Sequence, residues 1–165
     1  MNAKRKTKAR KRQEVLVHIR WMQRRDWPEV LDIDKDGFDW TWVEEDVICC
    51  LRKKNCIGMA AEHEEEMAGF MVYELHKHRI QLLRLAVTPD YRRRGVGTQM
   101  VAKLKGKLST QHRMSILVEV RESNLPGQLF FCDLGFRAVK VFREFFIEND
   151  EDAYLFEYAH GKAER

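Results

Sequence analysis

One segment constrains the fold more than any other, because a strand, a turn and a helix follow one another around two closely spaced glycines. The apolar run Arg79–Val87 predicts a strand that Pro89 ends, and Gly95 and Gly97 lie at the start of a helical pattern over Val96–Leu108. Backbone N–H groups at such a helix start have no intrahelical partner and lie at the positive end of the helix dipole. Glycines also let a phosphate approach closely, so this segment predicts an anion site.

The segment differs from the two common nucleotide-binding glycine loops. Gly97 is followed by Thr98-Gln99-Met100, so there is no GxGxxG fingerprint, and no GK[ST] run is present. The arginines Arg92–Arg94 add positive charge beside the glycines. The two glycines favour phosphate binding. Many turns contain two glycines, however, so the spacing does not identify the ligand.

The remaining patterns predict one domain in which a strand meander precedes alternating strands and helices. The chain has 165 residues, enough for one core. Short connections between three consecutive strands favour an antiparallel meander. The predicted strands are Val15–Arg20, Cys56–Ala61, Met67–Leu75, Arg79–Val87, Ile116–Val120, Val139–Phe146 and Ala153–Tyr158, and the predicted helices are one opening at Asp26, Glu44–Lys54, Val96–Leu108 and Leu125–Leu134, with Asp26 and Asn124 as caps.

Positive charge is concentrated at the beginning of the chain. The net charge is +4, and the stretch Met1–Arg12 contains seven Lys and Arg residues and no acidic residue, so the rest is slightly acidic. One interpretation is a solvated, disordered arm over residues 1–14. The other is an arm that contacts RNA, the ribosome or another acidic partner through counterion release.

The cysteines and the hydropathy indicate a cytoplasmic protein with no membrane partner. Cys49, Cys50, Cys56 and Cys132 form no CxxC pair, so neither a metal site nor a disulfide framework is expected, and Cys132 is expected to be buried. No apolar run is long enough for a membrane span, and the basic start lacks the apolar stretch of a secretory signal.

The glycine segment and three later runs resemble the GNAT superfamily of acetyltransferases. Arg92, Gly95 and Gly97 fill the fixed positions of its acyl-CoA signature, [QR]-x-x-G-x-[GA]. Within the superfamily, the bacterial ribosomal-protein-alanine N-acetyltransferases are especially similar. The resemblance extends from Ile19 to Tyr158, and its further motifs are Val118–Asn124, Phe130–Phe136 and Glu151–Ala153.

This resemblance implies an α/β (α+β) fold with a mixed, mostly antiparallel sheet of about seven strands flanked by about four helices. The sheet would be splayed open between the strands Arg79–Val87 and Ile116–Val120. Residues 15–160 would form the single GNAT domain, with residues 1–14 as the basic arm and residues 161–165 as a tail.

The resemblance also implies acetyl-CoA as a cosubstrate, with no metal. The pantetheine arm would pair with backbone in the splayed cleft, and the pyrophosphate would rest on the amides of the glycine loop. The implied cofactor-binding residues are Leu85, Ala86, Val87, Arg92, Arg93, Arg94, Gly95, Val96, Gly97, Thr98, Asn124 and Phe131.

Glu119 is the candidate general base. It lies in a mostly apolar strand beside the expected cleft, where desolvation would raise the pKa of its carboxyl group. The matching glutamate is the assigned base in the resembled family. The alternative is a structural ion pair with Arg84 or Arg121.

The sequence departs from the family at the general acid. The resembled enzymes have a tyrosine where this chain has Phe131, which has no proton to donate. Either another group supplies the proton, with Tyr73, Tyr91 and Tyr154 as candidates, or the thiolate leaves unassisted.

These observations predict an N-acetyltransferase whose acceptor is a protein or peptide N-terminal α-amino group. The alternatives are acetylation of a small amine or a lysine side chain, and a non-catalytic acyl-CoA-binding regulatory module. A monomer or a homodimer is expected. Three aromatic residues either form a wall of the acceptor site or make an ordinary cluster: Phe38, Trp40 and Trp42. Two others replace tyrosines of the resembled enzymes, namely Phe145 and Phe146.

Overall fold

The computed structural model describes residues 12–109 and 112–161. The strands in these residues are β1 (His18–Trp21), β2 (Cys56–His63), β3 (Glu66–Leu75), β4 (Arg79–Val87), β5 (Ser115–Arg121), β6 (Arg137–Phe146) and β7 (Glu151–Ala159). The helices are α1 (Trp27–Gly37), α2 (Glu44–Arg52), α3 (Val96–Lys105) and α4 (Leu125–Asp133). Within the described ranges the strands form one seven-stranded sheet in the order β1-β2-β3-β4-β5-β7-β6. The predicted mixed sheet with four helices is therefore confirmed.

The strands β2, β3 and β4 form the predicted antiparallel meander. Glu64 and Glu65 connect β2 to β3, and both have positive φ angles, of 49° and 68°. Such a pair of left-handed residues matches the right-handed twist of the flanking strands, so a two-residue turn is sufficient.

The strands β4 and β5 are parallel and remain paired over only part of their length. Their register runs from Arg79 opposite Ser115 to Leu82 opposite Val118, and no pair follows it in the described chain. At the same point β4 contains a bulge, because Val72 and Tyr73 of β3 lie opposite Arg84 and Leu82 and leave Leu83 unmatched. The two strands diverge beyond this point, as the predicted splay requires, and a cleft opens between them.

Helices cover the sheet on both faces. The larger core contains Met100 and Leu104 of α3 and Phe131 of α4 against the sheet. The smaller core contains Val30 and Ile33 of α1. The cleft between β4 and β5 is therefore enclosed by packed layers on either side.

The beginning of the domain differs from the expected boundary. β1 begins at His18 instead of residue 15, because the backbone amides of Val15 and Val17 donate to the Arg94 carbonyl and the Gln99 side chain instead of pairing with β2. Residues 12–14, expected in a detached arm, also contact the glycine loop. The basic run over residues 1–11, with its predicted RNA contact, lies outside the described residues.

Three other details differ from the sequence predictions. Asp26 does not cap α1, because its carboxylate pairs with Arg20 at 2.8 Å and accepts the Gln23 amide at 2.6 Å. Cys132 is exposed rather than buried. The last strand was predicted to begin at Ala153, whereas β7 begins at Glu151. By contrast Asn124 caps α4 as predicted, accepting the Gly127 amide at 3.0 Å.

No helix in the described part of the chain is long and apolar enough to cross a membrane. Among the same residues, no group of three or more His, Cys, Asp and Glu side chains is arranged to hold a metal ion.

A fully buried carboxylate joins α1 to β4. Asp34 accepts hydrogen bonds from Arg84 Nε at 2.7 Å and Nη2 at 2.9 Å, and from the Trp42 amide at 2.7 Å. This network holds the loop between α1 and α2 against the sheet.

We predict that Asp34→Ala lowers the free energy of unfolding by about 3 kcal/mol, because removing one partner of a buried ion pair leaves the other charge uncompensated. Urea unfolding measures the change. Asp32→Ala is the matched control, because the Asp32 side chain is 78% exposed, and it should change stability by less than about 0.5 kcal/mol. Equal losses in the two variants would contradict the prediction.

Candidate active site

A cavity of about 1140 Å³ occupies the cleft between β4 and β5. It extends from the glycine loop before α3 to aromatic side chains near the ends of α1 and β6. Of the residues predicted to form the site, those lining it are Leu85, Val87, Arg92, Arg93, Gly95, Val96, Gly97, Thr98, Glu119, Asn124 and Phe131. Tyr91, a candidate general acid, also lines it, as do residues that sequence reasoning did not assign to the site, which include Arg12, Glu14, Arg84, Arg121 and Phe130.

The glycine loop forms one end of the cavity. Gly95 has a φ of +83° at the N-cap of α3, a conformation that favours glycine. A Cβ atom on Gly97 would lie 3.0 Å from Phe130 Cζ, so a side chain there would crowd α4. The first intrahelical bond runs from the Gln99 amide to the Gly95 carbonyl at 3.1 Å, which leaves the amides of residues 96–98 without helical acceptors. This end of the cavity is built to receive an anion.

The loop arginines divide into two groups. Arg92 lines the cavity but donates to the carbonyls of Val87 at 2.9 Å and Asp36 at 3.2 Å. Arg94 points away, with its guanidinium 5.2 Å from the Tyr91 ring centre and a hydrogen bond to the Gln13 carbonyl at 3.1 Å. These two arginines brace the loop, whereas Arg93 lines the cavity with no hydrogen bond in the described part of the chain.

Ala86 is the other predicted residue that does not line the cavity. Its side chain is 6% exposed and packs in the smaller core with α1. Successive side chains of a strand point to opposite faces, so its neighbours Leu85 and Val87 line the cavity instead.

Glu119 lies where the cleft begins. It directly follows Val118, the last residue of β5 paired with β4, and it accepts a hydrogen bond from Gln81 Nε2 at 2.7 Å. Burial raises the pKa of its carboxyl group above the usual value. The predicted alternative of an ion pair is wrong, because Arg84 pairs with Asp34 and Arg121 pairs with acids of the β6–β7 turn and β7. Sequence reasoning missed Gln81, although its amide stands out in an apolar strand.

Phe131 lies in an aromatic cluster at the side of the cavity. It is 7% exposed and its ring centre is 5.1 Å from those of Phe130 and Phe136 in edge-to-face contacts. Among the candidate tyrosines only Tyr91 lines the cavity, and its hydroxyl donates to Glu66 at 3.1 Å. Burial raises the pKa of Tyr73 to about 12, and its side chain lies in the larger core.

Arg84 holds one wall at the far end of the cavity. Its guanidinium carbon lies 3.8 Å from the ring centre of Phe38 and 5.2 Å from that of Trp42, and Nη2 donates to the Trp40 carbonyl at 2.6 Å. The predicted aromatic cluster is thus attached to β4 by one cation, and Phe38 lines the cavity.

Arg121 holds the opposite wall. Its guanidinium carbon lies 3.7 Å from the ring centre of Phe146, and its nitrogens pair with Glu148 at 3.4 Å and Glu151 at 3.1 Å. Hydrogen bonds from Ser123 and its other partners lower the pKa of Glu151 to about 2, so this carboxylate stays charged. The β6–β7 turn is therefore tied to β5 two residues beyond Glu119.

The sequence profile described as the acetyltransferase (GNAT) family matches residues 16–136. That range is more than half of the chain, and the chain belongs to this family of acetyl-CoA-dependent acetyltransferases.

Individual relatives agree with this assignment. The chain is 24% identical over 132 residues to the [ribosomal protein bS18]-alanine N-acetyltransferase of Salmonella typhimurium, covering 79% of this chain and 88% of the relative. It is 37% identical over 75 residues to an N-alpha-acetyltransferase of Sulfurisphaera tokodaii, covering 45% of this chain and 44% of the relative. The crystal structure of the ribosomal-protein-S18-alanine N-acetyltransferase from Escherichia coli superposes with a TM-score of 0.78 at 22% identity, covering 91% of this chain and 97% of the other. That likeness shows a shared fold.

We predict that Glu119→Gln raises the melting temperature at about pH 8, with the difference vanishing near pH 3. The pKa of Glu119 is higher in the folded protein than in the unfolded chain, so the folded state binds the proton more tightly. The resulting stabilisation is fully present below the pKa of the unfolded chain and is lost as the pH rises through the pKa of the folded protein. Glutamine resembles the protonated form at every pH and escapes this loss. Thermal unfolding of both proteins at the two pH values checks the prediction, with the exposed Glu122→Gln as control. A lower melting temperature for Glu119→Gln at the higher pH would contradict it.

Proposed function

We propose that this protein transfers the acetyl group of acetyl-CoA to the α-amino group of a protein N-terminus, with Glu119 as the general base. One observation carries the proposal: a partly buried carboxylate of raised pKa lies in the same cavity as the glycine loop, where β4 and β5 part. The named activities of the relatives support the choice of acceptor.

The donor's phosphates would bind at the glycine loop. The amides of residues 96–98 have no helical acceptor and face an anion site next to Arg93. The pantetheine arm would follow β4, where the backbone near Leu85 and Val87 has lost its β5 neighbour. Asn124 would line the other side of this arm while capping α4. When bound, acetyl-CoA supplies a thioester whose carbonyl carbon accepts the amine.

Glu119 would prepare the amine for attack. An α-amino group has a pKa of about 7.7 to 8.0, so it often arrives protonated. A carboxylate whose own pKa is raised by burial is a better acceptor for that proton, directly or through water. Gln81 orients the carboxylate through its 2.7 Å hydrogen bond without adding charge.

The leaving thiolate would depart without a side-chain acid at position 131. The C–N bond forms as the C–S bond breaks, and the thiolate then takes a proton from water. A thiol has a pKa of about 8.5, so its conjugate base is a tolerable leaving group near neutral pH. Phe131 would contribute packing against the donor instead of a proton.

The acceptor would enter between the two walls held by Arg84 and Arg121. Phe38 and Phe146 line this end and give it an apolar surface that suits a peptide side chain. We also propose a cytoplasmic location, because all four cysteines are free and two of them are exposed, as in a reducing compartment.

We predict that Glu119→Gln lowers kcat for peptide acetylation by about 10²-fold or more, as for a lost general base. Its affinity for CoA should remain that of the wild type, because Glu119 lies apart from the glycine loop. Thiol release with peptide libraries measures turnover, and Glu122→Gln serves as the matched control. Acetylation of polyamines and of lysine side chains is measured in parallel. Faster turnover of either than of peptide N-termini would contradict the proposed acceptor. CoA binding with no turnover on any amine would favour a non-catalytic module.

We predict that Phe131→Tyr changes kcat by less than about threefold, whereas acid catalysis typically contributes about 10²-fold or more. The new hydroxyl would enter an aromatic cluster, and an unpaired buried hydroxyl costs about 1 to 3 kcal/mol, so the melting temperature should fall. Steady-state kinetics and thermal unfolding of the variant test both parts. A large rise in kcat would refute the unassisted departure of the thiolate.

A further inference from the structure

The residues before β1 form a strap along the glycine loop. We use this name for residues 12–17. The Val15 amide donates to the Arg94 carbonyl at 3.1 Å, and Arg94 Nε donates back to the Gln13 carbonyl at 3.1 Å. Val17 is buried in the larger core and Val15 packs against it. The strap is therefore fixed both to the loop and to the core.

One side chain of α3 supplies most of the remaining polar contacts. Gln99 Oε1 accepts the Val17 amide at 3.1 Å, while Nε2 donates to the carbonyls of Val15 at 2.7 Å and Gly95 at 3.2 Å. These three bonds join the strap to the first turn of the helix whose free amides form the anion site. No feature of the acyl-CoA signature requires a glutamine at this position.

The strap brings Arg12 into the cavity. Arg12 Nη1 donates to the carbonyls of Pro89 at 3.2 Å and Arg92 at 3.5 Å, and the residue lines the cavity beside Arg93. These two carbonyls hold the guanidinium at the mouth of the loop. The side chain is exposed, but its two hydrogen bonds fix it on the glycine loop, in the same cavity as residues 96–98.

The charge balance at this end makes such a residue useful. Arg92 and Arg94 are engaged with backbone carbonyls, and Glu14 of the strap adds a negative charge to the cavity lining. Among the loop and strap residues that line the cavity, Arg92 and Arg93 carry two positive charges against the one carboxylate of Glu14. Arg12 adds a third positive charge at the end of the cavity where the phosphates would bind.

We propose that the strap is part of the donor site, with Arg12 binding a phosphate group of acetyl-CoA and Gln99 positioning it. This inference rests on the proposed function, because it assumes that acetyl-CoA occupies the cavity. Pyrophosphate and the ribose 3′-phosphate share the same chemistry towards a guanidinium.

The test measures the Kd of CoA and of 3′-dephospho-CoA by calorimetry for the wild type, Arg12→Ala and the control Arg25→Ala, which removes an exposed arginine from the chain before α1. Arg12→Ala should weaken CoA binding about tenfold, as expected for a lost charge-assisted contact, and Arg25→Ala should change it less than about twofold. A loss with both ligands assigns the contact to the pyrophosphate, and a loss with CoA alone assigns it to the 3′-phosphate. Arg12→Ala binding both ligands within about twofold of the wild type would overturn the proposal. No binding of CoA by the wild type would instead overturn the proposed function.

Gln99→Met tests whether Gln99 positions Arg12. The measurements are the salt dependence of the Kd of CoA and the combined effect of Gln99→Met and Arg12→Ala on that Kd. The variant removes the three hydrogen bonds to the strap and loop while keeping a long, helix-compatible side chain. It should weaken CoA binding, reduce the salt dependence of Kd between about 50 and 300 mM NaCl, and add little to the loss in Arg12→Ala. Independent losses in the double variant would contradict positioning by Gln99. Should Gln99→Met not fold, the Arg12→Ala comparison still decides whether the strap binds phosphate.

Discussion

The parting of β4 and β5 after the pair of Leu82 and Val118 is the constraint on which the other features depend. A parallel pair normally continues until one strand ends, because each lost rung leaves buried polar groups without partners. Here the bulge at Leu83 turns the strand at the same point, and the unpaired edges line a cavity instead of closing on each other. The glycine loop, the partly buried carboxylate of Glu119 and the apolar mouth all lie along this opening.

An opening in the middle of a sheet must be held from the sides. Beyond the last pair between them, each of the two strands carries one arginine, and each of these arginines binds a buried acid while packing on an aromatic ring. Arg84 joins Asp34 to Phe38, and Arg121 joins Glu151 to Phe146. Arginine suits this work because its planar group can accept a ring on its face while its edge donates hydrogen bonds. The two walls of the mouth are thereby attached to the strands.

The fold and the glycine loop were predictable because their signals are local. The strand β4 was predicted with its observed bounds, and the helix start at Gly95 follows from residue types at neighbouring positions. The position of Glu119 beside the cleft was implied by the resemblance to the acetyltransferase family, together with its place in a mostly apolar strand.

Tertiary contacts between segments that are distant in the sequence could not be predicted from local patterns. Nothing near Val17 indicates that its amide will donate to Gln99, more than eighty residues away. Arg94 was placed in the site because it neighbours the glycines, yet its side chain lies over the Tyr91 ring and is not among the residues that line the cavity. Tertiary packing determines these contacts and side-chain directions, and the sequence pattern of one segment contains little information about it.

The hydrogen-bond partner of Glu119 is the neutral side chain of Gln81, and this affects the pKa of the carboxyl group. A cation in the place of Gln81 would align the group equally well, but it would stabilise the anion and oppose the effect of burial on proton affinity. An amide donor also stabilises the anion, but less than a full positive charge would, so burial still raises the pKa of Glu119. The orientation of the carboxylate is thus fixed with only a small loss of the proton affinity that burial provides.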